Sequence, residues 1–196
     1  MLLTAWDALV CQPKRVLVAG TSGSGKTTLS RRIAAVLDVP PTEIDALFHG
    51  PSWLPRDNFM LDVVALVVRP SWVTEWQYAK ARPLLLSYAD LLVWLDLPRA
   101  LVMRRLVRRT VQRRLNRTVL YNGNLEPPLS TFFTDRDHIV RWAWRTHHEN
   151  AERVAASLST REDLSVVRLR SQKDVDRWFW SAPRLCRPGS RSPAPA

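Results

Sequence analysis

The chain has 196 residues, of which 46% are hydrophobic and 24% charged, close to the average for a soluble globular domain. That balance excludes a wholly disordered, collagen-like or disulfide-scaffold chain and fits one domain with appendages. Its 29 Lys plus Arg against 18 Asp plus Glu give a formal charge of +11, carried by 25 Arg and only four Lys, which leaves nucleotides, nucleic acids and acidic surfaces open as partners. An arginine bias suits bidentate phosphate recognition, although the base composition of a source genome produces the same bias. Cys11 and Cys186 lie near opposite ends with no CxxC pair, so neither a disulfide framework nor a zinc site is indicated. No stretch approaches the roughly 18 apolar residues of a membrane span; residues 84–97 are interrupted by Asp90 and Asp96. Residues 1–10 lack the basic start and cleavage pattern of a signal peptide. Residues 1–13 are therefore read as a short extension, and the protein is expected to be cytoplasmic.

Residues 15–19 (RVLVA) form an apolar run that enters Gly20, the pattern of a buried strand before a glycine-rich turn. Residues 28–37 then place Leu29, Ile33, Val36 and Leu37 at helical spacing, and Pro40-Pro41 stops that helix. A second short strand is expected at 42–44, ending at Asp45, followed by a loop at 52–55 and a helix at 58–68. Strands follow at 72–74 and 91–95, then a long helix at 99–116. Asn122-Gly123-Asn124 and Pro127-Pro128 mark a turn-rich stretch before a single helix at about 137–158. A strand at 165–169 and a helix at 173–180 complete the folded part, residues 14–180. Alternating strands and helices predict an α/β fold with a five-stranded parallel sheet flanked by helices. Residues 181–196, rich in proline and arginine and nearly free of apolar residues, are expected to be a disordered tail.

Gly20-Thr21-Ser22-Gly23-Ser24-Gly25-Lys26-Thr27 fits Gly-x-x-x-x-Gly-Lys-[Ser/Thr] and sits between an expected strand and an expected helix, the context that gives this motif its meaning. Gly20, Ser22, Gly23, Ser24 and Gly25 would let backbone N–H groups wrap phosphate oxygens at a helix N-terminus. Lys26 would reach the β- and γ-phosphates of ATP, Thr27 would place its hydroxyl on Mg²⁺, and Thr28 would bond near the α-phosphate.

Between residues 99 and 117 stand eight arginines and no acidic residue. On a helix, Met103, Val107, Val111 and Leu115 repeat at i+4 on one face and Arg105, Arg109 and Arg113 on another. Like charges so spaced repel by about 0.2–0.5 kcal/mol per pair, a cost that a nearby polyanion relieves. A solvated basic face, a clamp on transferring phosphates and a helix tracking nucleic acid all fit this run; the phosphate loop favours the clamp.

Taken in order, GTSGSGKTTLSRRIA, EIDALFHGPSW, LLVWLDLPRALVMRRLVRR, YNGNLEP and SVVRLRSQKDVDRW resemble the adenylate kinase-like branch of P-loop NTPases, most closely the DNA topology modulation protein-like family. The resemblance covers about residues 15–180. It implies the P-loop NTPase three-layer fold with a small lid at about 110–133. It also implies that Arg105 lies against adenine and Arg109 on phosphate, with Arg136 and Arg141, or Arg145, contacting the transferring phosphoryl group. Glu75 would keep a carboxylate for the Mg²⁺ water shell or the acceptor hydroxyl, while Trp76 stands where the family pattern has glycine.

Asp45, followed by Phe48, His49, Trp53 and Arg56, falls where such folds receive the phosphoryl acceptor; it would act as general base, hold Mg²⁺ through water, or cap the next helix. Trp53 would pack on a helix or stack on a base. Asp96 would support the Mg²⁺ shell or orient the Leu97-Pro98 turn. Adjacent His147 and His148 point about 100° apart on a helix, which disfavours a shared metal. The tryptophans at 142, 144, 178 and 180 are expected in the core or at interfaces. The function expected is an ATP- and Mg²⁺-dependent kinase acting on a small-molecule or nucleotide acceptor. The alternatives are a nucleotide-regulated nucleic-acid-binding protein and an ATP-binding protein without catalysis.

Overall fold

The computed structural model describes residues 1–7, 9, 13–135 and 138–181. Residues 182–196 of the expected tail, both cysteines and Arg136 lie outside the described residues. Five parallel strands form one sheet: β1 (Leu2–Leu3), β2 (Arg15–Gly20), β3 (Trp72–Glu75), β4 (Leu91–Leu95) and β5 (Ser165–Leu169), in the order β1-β5-β4-β2-β3. All five positions of β4 are buried, and the inner four of β2 as well, as expected of strands covered on both faces. The register sets Val18 beside Glu75 and Gly20 beside Leu95, so β2, β3 and β4 deliver their carboxyl ends to one place.

Nine α-helices are described. They are α1 (Lys26–Val36), α2 (Ile44–Phe48), α3 (Phe59–Val67), α4 (Arg82–Tyr88), α5 (Arg99–Leu115), α6 (Thr131–Thr134), α7 (Ile139–Thr146), α8 (Glu149–Thr160) and α9 (Gln172–Ser181). One sheet face is covered by Leu29 and Ile33 of α1, Val102 and Leu106 of α5, Ala143 of α7 and Trp178 of α9. The other is covered by Phe59, Val63 and Leu66 of α3, Leu85 of α4 and Val154 of α8, with Ile44 of α2. The result is a helix–sheet–helix sandwich, and no described helix is long and apolar enough to cross a membrane.

Several expectations are corrected. Residues 42–44 form no strand: Ile44 begins α2, because its N–H donates to Glu75 Oε2 at 3.1 Å while its side chain enters the core. The fifth strand is instead Leu2–Leu3, whose pairing with Val166 and Val167 puts part of the expected extension on the sheet edge. The single helix at 137–158 is two, α7 and α8, broken where the His147 imidazole contacts the Leu97 carbonyl oxygen at 3.2 Å. Helix α4 was not foreseen. The buried stripe of α5 is Val102, Met103, Leu106 and Thr110, whereas Val107 and Leu115 are 45% and 72% exposed. Of the four tryptophans, only Trp178 is in the core; Trp142, Trp144 and Trp180 are exposed.

Candidate functional site

At the end of β2 the chain must turn sharply, and its glycines carry backbone geometry other residues resist. Gly20 (φ +149°) would place a Cβ 2.7 Å from Ser24 Oγ, and Gly23 (φ +89°) would place one 2.8 Å from both Leu106 Cβ and the Val102 carbonyl. The loop therefore lies directly on α5. Gly25 (φ +101°) caps α1 in the left-handed region, with no side-chain cap and no acidic residue in the first turn. Asn150 of α8 donates to Thr21 Oγ1 at 2.9 Å, and Ser24 N–H donates to the Thr21 carbonyl at 3.1 Å. A strand, a glycine-bounded loop and an uncapped helix N-terminus at the carboxyl edge of a parallel sheet decide the architecture. The chain has the α/β P-loop NTPase fold.

Within the P-loop, Lys26 is buried and its Nζ donates to the Thr21 carbonyl at 3.2 Å. Burial pulls its pKa down to about 8, opposed by the charges of Asp45 and Glu75 and aided by Arg109. Ser24 Oγ is buried without a hydrogen-bond partner. An anion against this loop would satisfy both groups, so the residues fit the phosphates of a nucleotide. Ser22 is half-buried, and Thr28 is exposed on the first turn of α1.

Glu75, at the end of β3, is buried against Ile44 N–H and the Thr27 hydroxyl; burial raises its pKa and those two donors oppose the rise. A hydroxyl oriented by a carboxylate suits Thr27 as the residue that would hold Mg²⁺ brought by ATP. Asp45, in the first turn of α2, accepts on Oδ1 from Gln77 Nε2 (2.7 Å) and the Tyr78 hydroxyl (2.6 Å). Tyr78 stacks on Phe48 with ring centroids 3.9 Å apart. Its pKa is driven far up by burial and by Asp45, which keeps it a hydrogen-bond donor. Trp76 is turned into the core cluster that includes Ala81 and Leu85, with its Nε1 donating to the Arg82 carbonyl at 3.2 Å.

From α5, Arg109 reaches the charge field of Lys26 and Asp45; burial lowers its pKa, Arg113 adds to this, and its Nε is buried without a partner. Arg105 lies against the loop after β5, donating to Gln172 Oε1 at 2.7 Å. Arg141 joins none of these contacts: it donates to the carbonyls of Phe132 and Phe133 at 3.5 Å each. Asp96 pairs with Arg168 at 2.6 Å, bridging the ends of β4 and β5.

Past the end of α5, residues 119–125 form a tight turn bridged between Val119 and Leu125, a match for the turn bridged between His49 and Pro55. The two turns are clasped. Asn124 donates to the Gly50 carbonyl (2.8 Å) and accepts from Trp53 N–H (3.0 Å), Asn122 donates to the His49 carbonyl, and Trp53 Nε1 donates to the Leu125 carbonyl (3.0 Å). Trp53 is thus a pin between turns, neither simple helix packing nor an open stacking face. Tyr121 rides on the clasp beside Glu43, its pKa raised first by burial and then by Asp45. Residues Gln77, Tyr78, Tyr121 and Asn124 were not singled out as site residues by sequence reasoning. The motifs Glu75-Trp76-Gln77-Tyr78 and YNGNLEP were the available signals.

No protein-family model and no curated protein matches the chain. Solved structures similar to it include a shikimate kinase from Acinetobacter baumannii in complex with shikimate. That structure is 18% identical with TM-score 0.46, covering 88% of this chain and 92% of that one. A sugar kinase from Janibacter sp. HTCC2649 is 18% identical with TM-score 0.44, covering 88% and 97%. A gluconokinase from Sinorhizobium meliloti 1021 is 19% identical with TM-score 0.45, covering 89% and 94%. At such scores the likeness says nothing of this chain's substrate.

Proposed function

We propose that the protein is an ATP-dependent phosphotransferase of the adenylate kinase-like type, working with Mg²⁺ in the cytoplasm and moving the γ-phosphoryl group to a hydroxyl of a small acceptor. The observation that carries this reading is the convergence of Lys26, Thr27, Glu75, Asp45 and Arg109 at the mouth of the phosphate loop. The acceptor hydroxyl would give its proton to Asp45 as its oxygen bonds to the γ-phosphorus, and the bond from that phosphorus to the β–γ bridging oxygen would break, leaving ADP. Lys26 and Arg109 would stabilise charge on the transferring group, with Arg136 as a further candidate from the family resemblance. Arg105 would lie along the base of ATP. Mg²⁺, held through Thr27, would neutralise the β- and γ-oxygens. Glu75 would orient the Thr27 hydroxyl.

The nucleic-acid reading is weakened by the arginine run itself. Of its eight members, Arg99 lies over Trp144, Arg105 on Gln172, and Arg113 and Arg114 on Glu126, while Arg109 is largely buried at the site. Those five are not arrayed along a polyanion track.

The test is turnover of ATP by purified protein with Mg²⁺ and pooled nucleosides, nucleoside monophosphates, polyols and sugars, with mass spectrometry of the products. A product heavier by one phosphoryl group, lost in Lys26→Ala, is the expected result. ATP binding with no phosphorylated product from any pool overturns the proposal, and DNA affinity that falls steeply with salt and is altered by ATP would then favour the nucleic-acid alternative.

A further inference from the structure

Asp45 receives its hydrogen bonds on one oxygen. Gln77 Nε2 and the Tyr78 hydroxyl both donate to Oδ1, at 2.7 and 2.6 Å, and among the described residues Oδ2 accepts none. The Tyr78 oxygen also lies 3.1 Å from His49 Nε2. Because the phenol's own proton goes to the carboxylate, the imidazole is the donor in that contact, which places a proton on Nε2. His49 Nδ1 is buried without a partner. The chain of donors runs His49 to Tyr78 to Asp45.

The backbone is bent to serve this contact. Tyr78 sits at φ +60°, in the left-handed region where glycine is the easy choice and another residue carries strain. Its ring is gripped by Phe48 in a stack at 3.9 Å and by Phe59 edge-on at 5.4 Å, so the hydroxyl has one place to go. Asp45 faces other charged and titratable groups as well: Lys26 from α1, Glu75 from β3, Arg109 from α5 and Tyr121 from the clasp. Two donors fixed on Oδ1 keep the carboxylate from rotating to meet any of these cations with both oxygens.

We infer that Tyr78 and Gln77 are positioning residues that anchor Asp45 through Oδ1 and thereby present Oδ2 to the acceptor hydroxyl. The anchoring is a statement about geometry; its catalytic meaning rests on the kinase reading above. Removing either donor leaves the base present on one anchor in place of two, with more freedom to turn, so the rate should fall without loss of binding.

The test uses the full chain in four forms: wild type, Tyr78→Phe, Gln77→Leu and Asp45→Asn. Tyr78→Phe keeps the ring stack, and a single cooperative thermal transition in both donor variants controls for misfolding. By NMR with carboxyl-labelled aspartate, wild type should show a slowly exchanging Tyr78 hydroxyl proton correlated with the Asp45 carboxyl carbon, lost in Tyr78→Phe and Asp45→Asn. With whichever pooled acceptor is phosphorylated, kcat should fall about tenfold in each donor variant, with KM for ATP and acceptor unchanged. An unchanged kcat in both donor variants, beside an inactive Asp45→Asn, overturns the inference and leaves the kinase standing. If no pool is phosphorylated, the kinase reading fails, and the NMR arm still decides whether Tyr78 anchors Asp45: absence of the correlated proton overturns that too.

Discussion

Gly23→Ala separates two costs that glycine avoids in the phosphate loop. At φ +89° any side chain suffers backbone strain of about 1–2 kcal/mol. At Gly23 the new methyl also meets Leu106 Cβ and the Val102 carbonyl at 2.8 Å, inside contact distance and against the backbone of a 17-residue helix that cannot yield cheaply. Overpacking of that kind costs about 1–3 kcal/mol more. Gly25→Ala is the control: its φ is +101°, but nothing lies within 4 Å of the added Cβ. Both substitutions reduce the freedom of the unfolded chain alike, so this contribution cancels between them. Denaturant unfolding should show Gly23→Ala less stable than Gly25→Ala by about 1–3 kcal/mol. Equal stabilities for the two variants would refute the docking of the loop on α5.

Lys26 has its pKa lowered by burial from 10.5 to about 8, so the unfolded chain holds more protons than the folded one between those values. Stability without nucleotide should therefore rise with pH across about 8 to 10.5, by on the order of 3 kcal/mol relative to Lys26→Met; parallel pH profiles for the two proteins would refute it. Asn124→Ala strips the clasp of its bonds to Gly50 and Trp53, leaving buried groups unpaired, and should cost about 1–3 kcal/mol while hydrogen exchange at 119–125 accelerates. Unaltered exchange there would mean the turns are held by other contacts. Leu3→Asp places a carboxylate in the core beneath the edge strand and should destabilise by about 2 kcal/mol or more in denaturant; a neutral effect would show that β1 is not part of the cooperative unit.

What was legible in the sequence is what short-range chemistry dictates. The P-loop needs glycine where φ is positive, and a lysine and threonine where phosphates and their cation meet, so its spacing is fixed within eight residues. Strand β4 is a five-residue apolar run, and β5 carries Val166, Val167 and Leu169 into the core, patterns that suit a buried strand. In contrast, α5 offers two i+4 stripes, Met103-Val107-Val111 and Val102-Leu106-Thr110, and periodicity favours the wholly apolar first although the second is the one fully buried. The choice is made by Gly23, whose missing side chain lets Leu106 sit against the loop. Likewise, a two-residue strand such as Leu2–Leu3 is too short to show alternation and exists because β5 offers it an edge.

The acceptor side was legible only in part, for the same physical reason. Asp45 stood out as a lone carboxylate before an aromatic cluster, but its partners Gln77 and Tyr78 lie more than thirty residues away and meet it only because α2 is hung from Glu75 by the Ile44 N–H. Nothing local marks Tyr78 as a left-handed residue, since glycine or asparagine would be the expected occupant. A tyrosine kept where backbone energetics favour glycine points to a role for its side chain. Its hydroxyl meets the Asp45 oxygen that two donors hold still. The phosphate half of the site is thus written in consecutive residues, while the half around Asp45 is assembled by the fold from separate ones, and under the proposed kinase reading it is this half that would decide which hydroxyl is phosphorylated.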